Sequence, residues 1–292
     1  MKNLKGIIPA LLTPFTADNR INHPVLRDLV RRNLEQGVSA FYVAGSTAEA
    51  FLLTIDERKA ILETVVDEVA GRCGVIAHIG AISQDAATEL AIHARETGAD
   101  AISSIPPFYY PFTFDEIKAY YFSIVEASGM PMIIYNFPAF SGVKLDAGNI
   151  AQFLCDNRFI GVKHTSQDFY ALNRFKTAFP DKLVFNGYDE MFVSGMAMGA
   201  DGAIGSTFNF MADKFITMKR LCDDGHFDKA RDLQSKVNDL IQVLIKVGVL
   251  PGEKEIMNLM GLDFGSCRKP FKSISEDERE MLKNALAELH AS

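Results

Sequence analysis

The chain has 292 residues, of which 48% are hydrophobic, and its formal net charge is -7 at pH 7. Nucleic-acid binding usually needs a basic face, so this acidic balance argues against it, and no apolar stretch reaches the roughly 18 residues of a membrane-spanning helix. Length and composition favour a soluble cytosolic protein with one large core, within the range of an α/β barrel, which commonly needs about 250 residues.

Short apolar runs alternate with longer amphipathic stretches through most of the chain. Strands of a parallel sheet are buried on both faces and therefore read as continuous apolar runs. The sequence predicts eight such strands, at 6–12, 39–45, 74–80, 100–106, 131–136, 159–164, 182–187 and 201–206.

Helical periodicity occupies most of the intervening segments. Thr54 and Glu57, for example, have the spacing of a capping box at the start of one helix. The predicted helices span 23–37, 54–71, 83–98, 113–129, 166–180 and 212–225. Eight similar strand–helix units favour a (β/α)8 TIM barrel, although the periodicity alone also permits an open doubly wound sheet.

The chain stays helical after the eighth unit. Three further helices are predicted, at 227–248, 252–261 and 275–290. No low-complexity linker precedes them, so we expect residues 226–292 to pack on the barrel of residues 1–225 as one structural unit.

Polar residues collect where several predicted strands end, which is the end of a barrel that carries chemistry. Lys163 and Tyr135 close adjacent strands, so their side chains can approach each other. A neutral lysine forms a Schiff base with a ketone, and a phenol can transfer the protons that this chemistry needs. Taken singly, each residue is better explained as a solvated strand-end lysine or a core tyrosine; the pair together favours catalysis.

Other polar segments are less specific. The stretch Ser46-Thr47-Ala48-Glu49 after the second strand suits a carboxylate or a simple helix cap equally well. Asp189 and Glu190 suit sugar hydroxyls or the first turn of a helix. His78 and His164 have no partner residues at metal-site spacing, so we interpret both as structural and predict no metal site.

These residues occur in motifs that resemble a known family over essentially the whole chain. The motifs are GSTAEAF, PPFYYPF, YNFPAFSGVKL, GVKHTS, NGYDE, GADGAIGSTFN and CRKPF. They resemble the pyruvate-dependent class I aldolases, the family of dihydrodipicolinate synthase and N-acetylneuraminate lyase, and are most similar to its sialic acid branch.

The resemblance implies a role for each matched residue. Lys163 would form the Schiff base, Tyr135 would transfer protons, and Tyr109 would support Tyr135. The carboxylate of pyruvate would lie on Ser46 and Thr47. The hydroxylated remainder of the substrate would lie on Thr165, Gly187, Asp189, Glu190 and Ser206.

The resemblance also implies the reaction, which is reversible cleavage of N-acetylneuraminate to N-acetylmannosamine and pyruvate. Such enzymes need no metal or organic cofactor and act on small molecules. They are usually homotetramers built on a barrel with extra C-terminal helices, which is what we expect here.

Two positions depart from the family pattern. Ala48 stands where glycine is usual, and a positive φ there would cost on the order of 1 kcal/mol, whereas a negative φ would make the change harmless. Pro106 replaces a threonine and removes a hydroxyl and a backbone donor near Tyr109. Both departures bear on efficiency or substrate preference rather than on reaction class.

Two alternatives to this interpretation remain. Dihydrodipicolinate synthases have an arginine for the second substrate where Phe140 stands here, and no arginine occurs between Arg95 and Arg158. This disfavours a semialdehyde acid but leaves open an aldolase for another 2-keto-3-deoxy sugar acid. A non-catalytic sugar-acid-binding regulator is the other alternative, since fold does not fix function.

The four cysteines indicate the redox state of the compartment in which the protein works. The cysteines are Cys73, Cys155, Cys222 and Cys267. No two of them form a CxxC pair, and none lies at zinc-site spacing from a histidine. We interpret them as free thiols, which predicts a reducing, cytoplasmic location.

Overall fold

The computed structural model describes residues 2–143, 145–146 and 148–291. Its strands are β1 Gly6–Pro9, β2 Ala40–Val43, β3 Gly74–His78, β4 Ala101–Ser104, β5 Met132–Asn136, β6 Phe159–His164, β7 Leu183–Asn186 and β8 Gly202–Gly205. Its helices are α1 His23–Gln36, α2 Ile55–Val69, α3 Gln84–Thr97, α4 Phe114–Ser128, α5 Pro138–Ser141, α6 Ala151–Leu154, α7 Phe169–Ala178, α8 Phe192–Ala197, α9 Phe208–Asp223, α10 Phe227–Val247, α11 Val249–Leu259 and α12 Glu276–Ala291.

The strands form one parallel sheet in the order β1-β8-β7-β6-β5-β4-β3-β2. Its two ends meet, because Ser39 N–H donates to Ile7 O and Leu11 N–H donates to Tyr42 O, both at 2.9 Å. The predicted (β/α)8 barrel is therefore confirmed, and the open doubly wound alternative is wrong.

Side-chain alternation along each strand divides the core in two, since successive residues point to opposite faces. In β1, Ile8 joins the cluster inside the barrel, whereas Ile7 packs in the larger layer between strands and helices. The inner cluster also contains Tyr42, Tyr135 and Phe185. Polar groups near the top of this inner cluster consequently lie in a dry setting.

Local signals fix several helix ends where the sequence predicted them. Thr54 and Glu57 form a complete capping box at the start of α2. Gly37 ends α1 with φ 88°, a left-handed conformation that glycine adopts without steric cost.

Other elements differ from the sequence-based expectation. In the segment between β5 and β6, the described residues form the four-residue helices α5 and α6, and α8 has six residues. None of these three was predicted, because helices so short show little periodicity. Helix α11 begins at Val249, earlier than expected, since Gly248 alone separates it from α10.

The C-terminal helices pack against the barrel near the ends of β7 and β8. Gln234 of α10 accepts a hydrogen bond from Val193 N–H and donates one to Asp189 O. Ile241 and Leu244 of the same helix line the cavity at the C-terminal ends of the strands. The helices after β8 thus complete the wall of that cavity.

Candidate active site

A cavity of about 690 Å³ lies at the C-terminal ends of the strands. This size is ordinary for a small-molecule site. Nine of the ten predicted site residues line it, namely Ser46, Thr47, Tyr135, Lys163, Thr165, Gly187, Asp189, Glu190 and Ser206. The structure therefore brings together residues from five strand ends.

Lys163 is the buried amine at the centre of the site. It pairs in register with Tyr135 across β5 and β6, and its side chain faces the barrel interior. The residue is 5% exposed, and Nζ lies 4.2 Å from the ring centroid of Tyr135 and 4.6 Å from that of Tyr42. In the described part of the chain, no carboxylate lies within ion-pair distance of this Nζ.

Burial lowers the pKa of Lys163 to about 7, and the negative charge of Asp189 only partly opposes this. An isolated lysine titrates near 10.4. Desolvation is the cause, since a dry environment disfavours the charged form. A substantial fraction of the amine is therefore uncharged near neutral pH, which is the form that attacks a carbonyl.

Tyr135 is buried beside this amine. Desolvation raises the pKa of its phenol, and the hydroxyls of Thr165 and Ser46 oppose that shift. The phenol is accordingly protonated at rest. A cation formed next to it would favour the phenolate, so Tyr135 can first give and then accept a proton.

Ser46 and Thr47 lie in a three-residue 3-10 helix, Ser46–Ala48, rather than at the head of an α-helix. Their backbone N–H groups donate to no acceptor among the described residues. The positive φ of this turn occurs at Glu49, with φ 61°, and not at Ala48. Alanine at position 48 is therefore not strained, and this departure from the family pattern is harmless.

Asp189, which follows β7, is held in place by Thr207, which follows β8. One carboxylate oxygen, Oδ2, accepts hydrogen bonds from the backbone N–H and the hydroxyl of Thr207, at 2.9 and 2.7 Å. Burial nevertheless raises the pKa of Asp189 to about 6. Gly187 is required nearby, since a Cβ there would lie 1.9 Å from Thr165 Oγ1.

Comparison with known proteins assigns the chain to a family. The Dihydrodipicolinate synthetase family matches this chain over residues 3–289. An N-acetylneuraminate lyase of Rhizobium meliloti (strain 1021) is 44% identical over 285 residues, which cover 97% of this chain and 95% of the relative. The chain belongs to the dihydrodipicolinate synthetase family. The resemblance inferred from the motifs is thereby confirmed.

Solved structures agree with this assignment. A Clostridium difficile structure described as CdNal in complex with mannosamine has a TM-score of 0.96 and 36% identity, covering 99% of this chain and 100% of that one. The N-acetylneuraminate lyase from Fusobacterium nucleatum complexed with pyruvate has a TM-score of 0.93 and 38% identity, covering 98% and 97%.

One predicted site residue, Tyr109, does not line the cavity of its own chain. Its side chain is 83% exposed, and its backbone has φ 79°, which is rare for a residue with a bulky side chain. The neighbouring Phe108 lines the cavity instead. The supporting role of Tyr109 therefore stays a prediction.

The two buried histidines lie outside the cavity. His164 has both ring nitrogens at 3.0 Å from partners, Nδ1 from Asn136 Nδ2 and Nε2 from Asp168 O. His78 lies beside Arg58 and 3.1 Å from Ala44 O. Within the described ranges no group of three or more His, Cys, Asp or Glu could hold a metal ion. The structural interpretation of both residues fits these contacts.

Sequence reasoning missed two further features of the site. Tyr42 packs its ring against Lys163, which the strand pattern alone could not distinguish from any other core tyrosine. Glu253 of α11 is fully buried, and its Oε1 accepts a hydrogen bond from the Ser206 hydroxyl at 2.5 Å. A glutamate on the apolar face of a helix was the available signal for Glu253.

All four cysteines are free thiols, as expected. Among the described residues, no helix is both long and apolar enough to cross a membrane.

Proposed function

We propose that this protein is a Schiff-base aldolase that cleaves N-acetylneuraminate reversibly to N-acetylmannosamine and pyruvate. One observation carries the proposal: Lys163 is a buried amine with no carboxylate at ion-pair distance in the described ranges, packed against Tyr135 in a cavity large enough for a sugar acid. The relatives named above support the carbon–carbon lyase class, and two of the solved relatives hold mannosamine and pyruvate.

The first step is condensation at the C2 ketone of the open-chain substrate. Neutral Lys163 attacks the ketone, and the phenol of Tyr135 protonates the departing hydroxyl, so that water leaves and an iminium forms. Ser46 and Thr47 would hold the adjacent carboxylate through their hydroxyls and through N–H groups that have no acceptor in the described part of the chain. The lowered pKa of Lys163 supports this step, because a substantial fraction of the amine is already neutral near pH 7.

The second step breaks the C3–C4 bond. The phenolate of Tyr135, or the substrate carboxylate, removes the proton of the C4 hydroxyl, and the C3–C4 electron pair moves towards the iminium nitrogen. N-acetylmannosamine leaves as the aldehyde, and an enamine of pyruvate stays on Lys163. The positive iminium close to the Tyr135 ring favours the phenolate that this step needs.

The last step regenerates the free enzyme. The enamine takes a proton at C3, and water hydrolyses the resulting iminium to pyruvate and free Lys163. Protons and electrons balance with lysine, tyrosine and water alone, so this sequence needs no metal and no organic cofactor.

The far side of the cavity suits a hydroxylated tail. Asp189, Glu190 and Ser206 present polar groups there, whereas the Thr165 hydroxyl lies beside Tyr135, where Gly187 leaves room for it. Phe140 lines the cavity at the position where dihydrodipicolinate synthases have an arginine, and no arginine is among the described lining residues. A second carboxylate would therefore lack a cationic partner, which favours a sugar over a semialdehyde acid.

The assembly and location are part of the same proposal. We expect a cytoplasmic homotetramer, and Tyr109, exposed in its own chain, would act on a site only from a neighbouring subunit. Light scattering during size-exclusion chromatography measures the assembly. A Tyr109→Phe variant with unchanged kcat and KM in a confirmed tetramer would remove Tyr109 from the proposed site.

The direct test is release of pyruvate from N-acetylneuraminate, followed by coupled lactate dehydrogenase. We expect release by the wild-type protein and none by Lys163→Met, which keeps the length of the side chain. No release by folded wild-type protein would reject this substrate. Other 2-keto-3-deoxy sugar acids, assayed in the same way, would then separate a different aldolase from a non-catalytic binder.

A further inference from the structure

A carboxyl group lies directly behind the cavity wall, at the contact between the barrel and the C-terminal helices. Glu253 belongs to α11 and is 0% exposed. Val249 and Leu250, four and three residues earlier on the same helix, line the cavity. Residues at these spacings share one helix face, so Glu253 faces the site from one turn further along α11.

The contacts of Glu253 are few and point to the cavity. Its Oε1 accepts a hydrogen bond of 2.5 Å from the hydroxyl of Ser206, which itself lines the cavity. Its Oε2 is buried and has no hydrogen-bond partner in the described ranges. The next residue, Lys254, forms its ion pair with Glu49 and not with Glu253.

Such a residue does not serve stability well. A carboxyl buried with a single hydrogen bond loses more hydration than that contact returns, and an apolar side chain of similar size would avoid this loss. Burial raises the pKa of Glu253 to about 8, with a further rise from the charge of Asp189, so the group is mainly protonated at pH 7. Polar groups kept in this way are concentrated at functional sites.

We propose that Glu253 is a positioning residue, which fixes the Ser206 hydroxyl so that its oxygen meets a free hydroxyl group on the sugar part of the substrate. The backbone of Ser206 is already held, because its carbonyl accepts hydrogen bonds from Asn209 N–H and Nδ2. Glu253 supplies the remaining constraint, on the side-chain torsion. This inference rests on the proposed function, because it concerns the same substrate.

A mutant cycle tests the inference. Glu253→Leu and Ser206→Ala should each raise KM for N-acetylneuraminate about five- to tenfold, the effect of one lost hydrogen bond, with kcat within about threefold of wild type. The double variant should be no worse than either single one, because both remove the same contact. Glu253→Gln, which keeps a neutral hydrogen-bonding group, should stay within about twofold of wild type.

Borohydride trapping of pyruvate on Lys163 is the control for an intact site, since pyruvate does not reach the sugar side. Its dependence on pyruvate concentration should be the same in all variants. Additive losses in the double variant, or a glutamine variant as poor as the leucine one, would overturn the role of Glu253. Wild-type protein that traps pyruvate but releases none from N-acetylneuraminate would instead reject the proposed function, and this inference with it.

Discussion

Among the residues that the structure describes, two lysines are buried, and they differ in the groups that face them. Lys254 of α11 is 1% exposed, and its Nζ lies 2.5 Å from the fully buried carboxylate of Glu49. Lys163 of β6 is 5% exposed and faces the rings of Tyr42 and Tyr135, with no carboxylate at ion-pair distance among the described residues. Burial lowers the pKa of both amines, but only at Lys254 does a directly paired carboxylate oppose it.

The two lysines differ in role: Lys254 belongs to a structural ion pair, whereas Lys163 is the proposed reactive amine. The pair of Lys254 and Glu49 joins the C-terminal helices to the turn after β2, and each charge depends on the other. Lys163 has no such partner among the described residues, so the neutral amine that burial favours can react with a carbonyl. Burial alone is therefore a weak criterion for a nucleophilic lysine; burial beside a cavity without a countercharge is the stronger criterion, and it is the basis of the role proposed for Lys163.

The largest expected effect is loss of catalysis without Lys163. Lys163→Met should lower kcat at least about 10,000-fold, because the described residues that line the cavity include no second amine to form the imine. Its free energy of unfolding at pH 8 should stay within about 1 kcal/mol of wild type, since the variant removes an uncharged amine from an apolar setting. Pyruvate release and urea unfolding measure the two quantities, and measurable turnover by this variant would contradict the comparison.

Tyr135→Phe should lower kcat by about 100- to 10,000-fold, because proton transfer then falls to water or to the substrate carboxylate. Pyruvate should still be trapped on Lys163 by borohydride, since the amine is intact. Tyr121→Phe is a matched control, because it removes a buried hydroxyl that donates to Ser104 O away from the cavity. Equal losses in both variants would assign a structural role to Tyr135.

Lys254→Met should act on stability in the way that Lys163→Met does not. It leaves the Glu49 carboxylate buried without its cation, which costs about 3–5 kcal/mol of the free energy of unfolding. Lys254→Met combined with Glu49→Gln should recover part of that loss. Urea denaturation at pH 7 is the measurement, and a single variant as stable as wild type would show that the ion pair contributes little.

The smallest expected effect is a shift in the pH dependence of pyruvate trapping on Lys163. The rate of pyruvate trapping should rise with pH through a midpoint near 7 and then level off, because only the neutral form of Lys163 reacts. Asp189 raises the pKa of Lys163 by its charge, so Asp189→Asn should move the midpoint to lower pH. A midpoint near 10, or an upward shift in this variant, would mean that the environment does not lower the pKa as described.

The barrel and the proximity of Lys163 to Tyr135 could be predicted from the sequence for the same reason. Strand order fixes which strand ends meet, so Lys163 and Tyr135 were predicted to be neighbours before any side chain was placed. Glu253 was not predicted, because its position depends on how α11 packs beside Ser206, just after β8, and helical periodicity does not encode that packing. Tyr109 follows from motif resemblance alone, and the fold of one chain leaves it exposed.

The central claim is that Lys163, and not another buried lysine, forms the imine. Incubation with pyruvate and borohydride, followed by peptide mass spectrometry, tests this directly. We expect an irreversible pyruvate-derived adduct on Lys163 and none on Lys254. An unmodified Lys163 in folded protein, or an adduct on Lys254 instead, would contradict it.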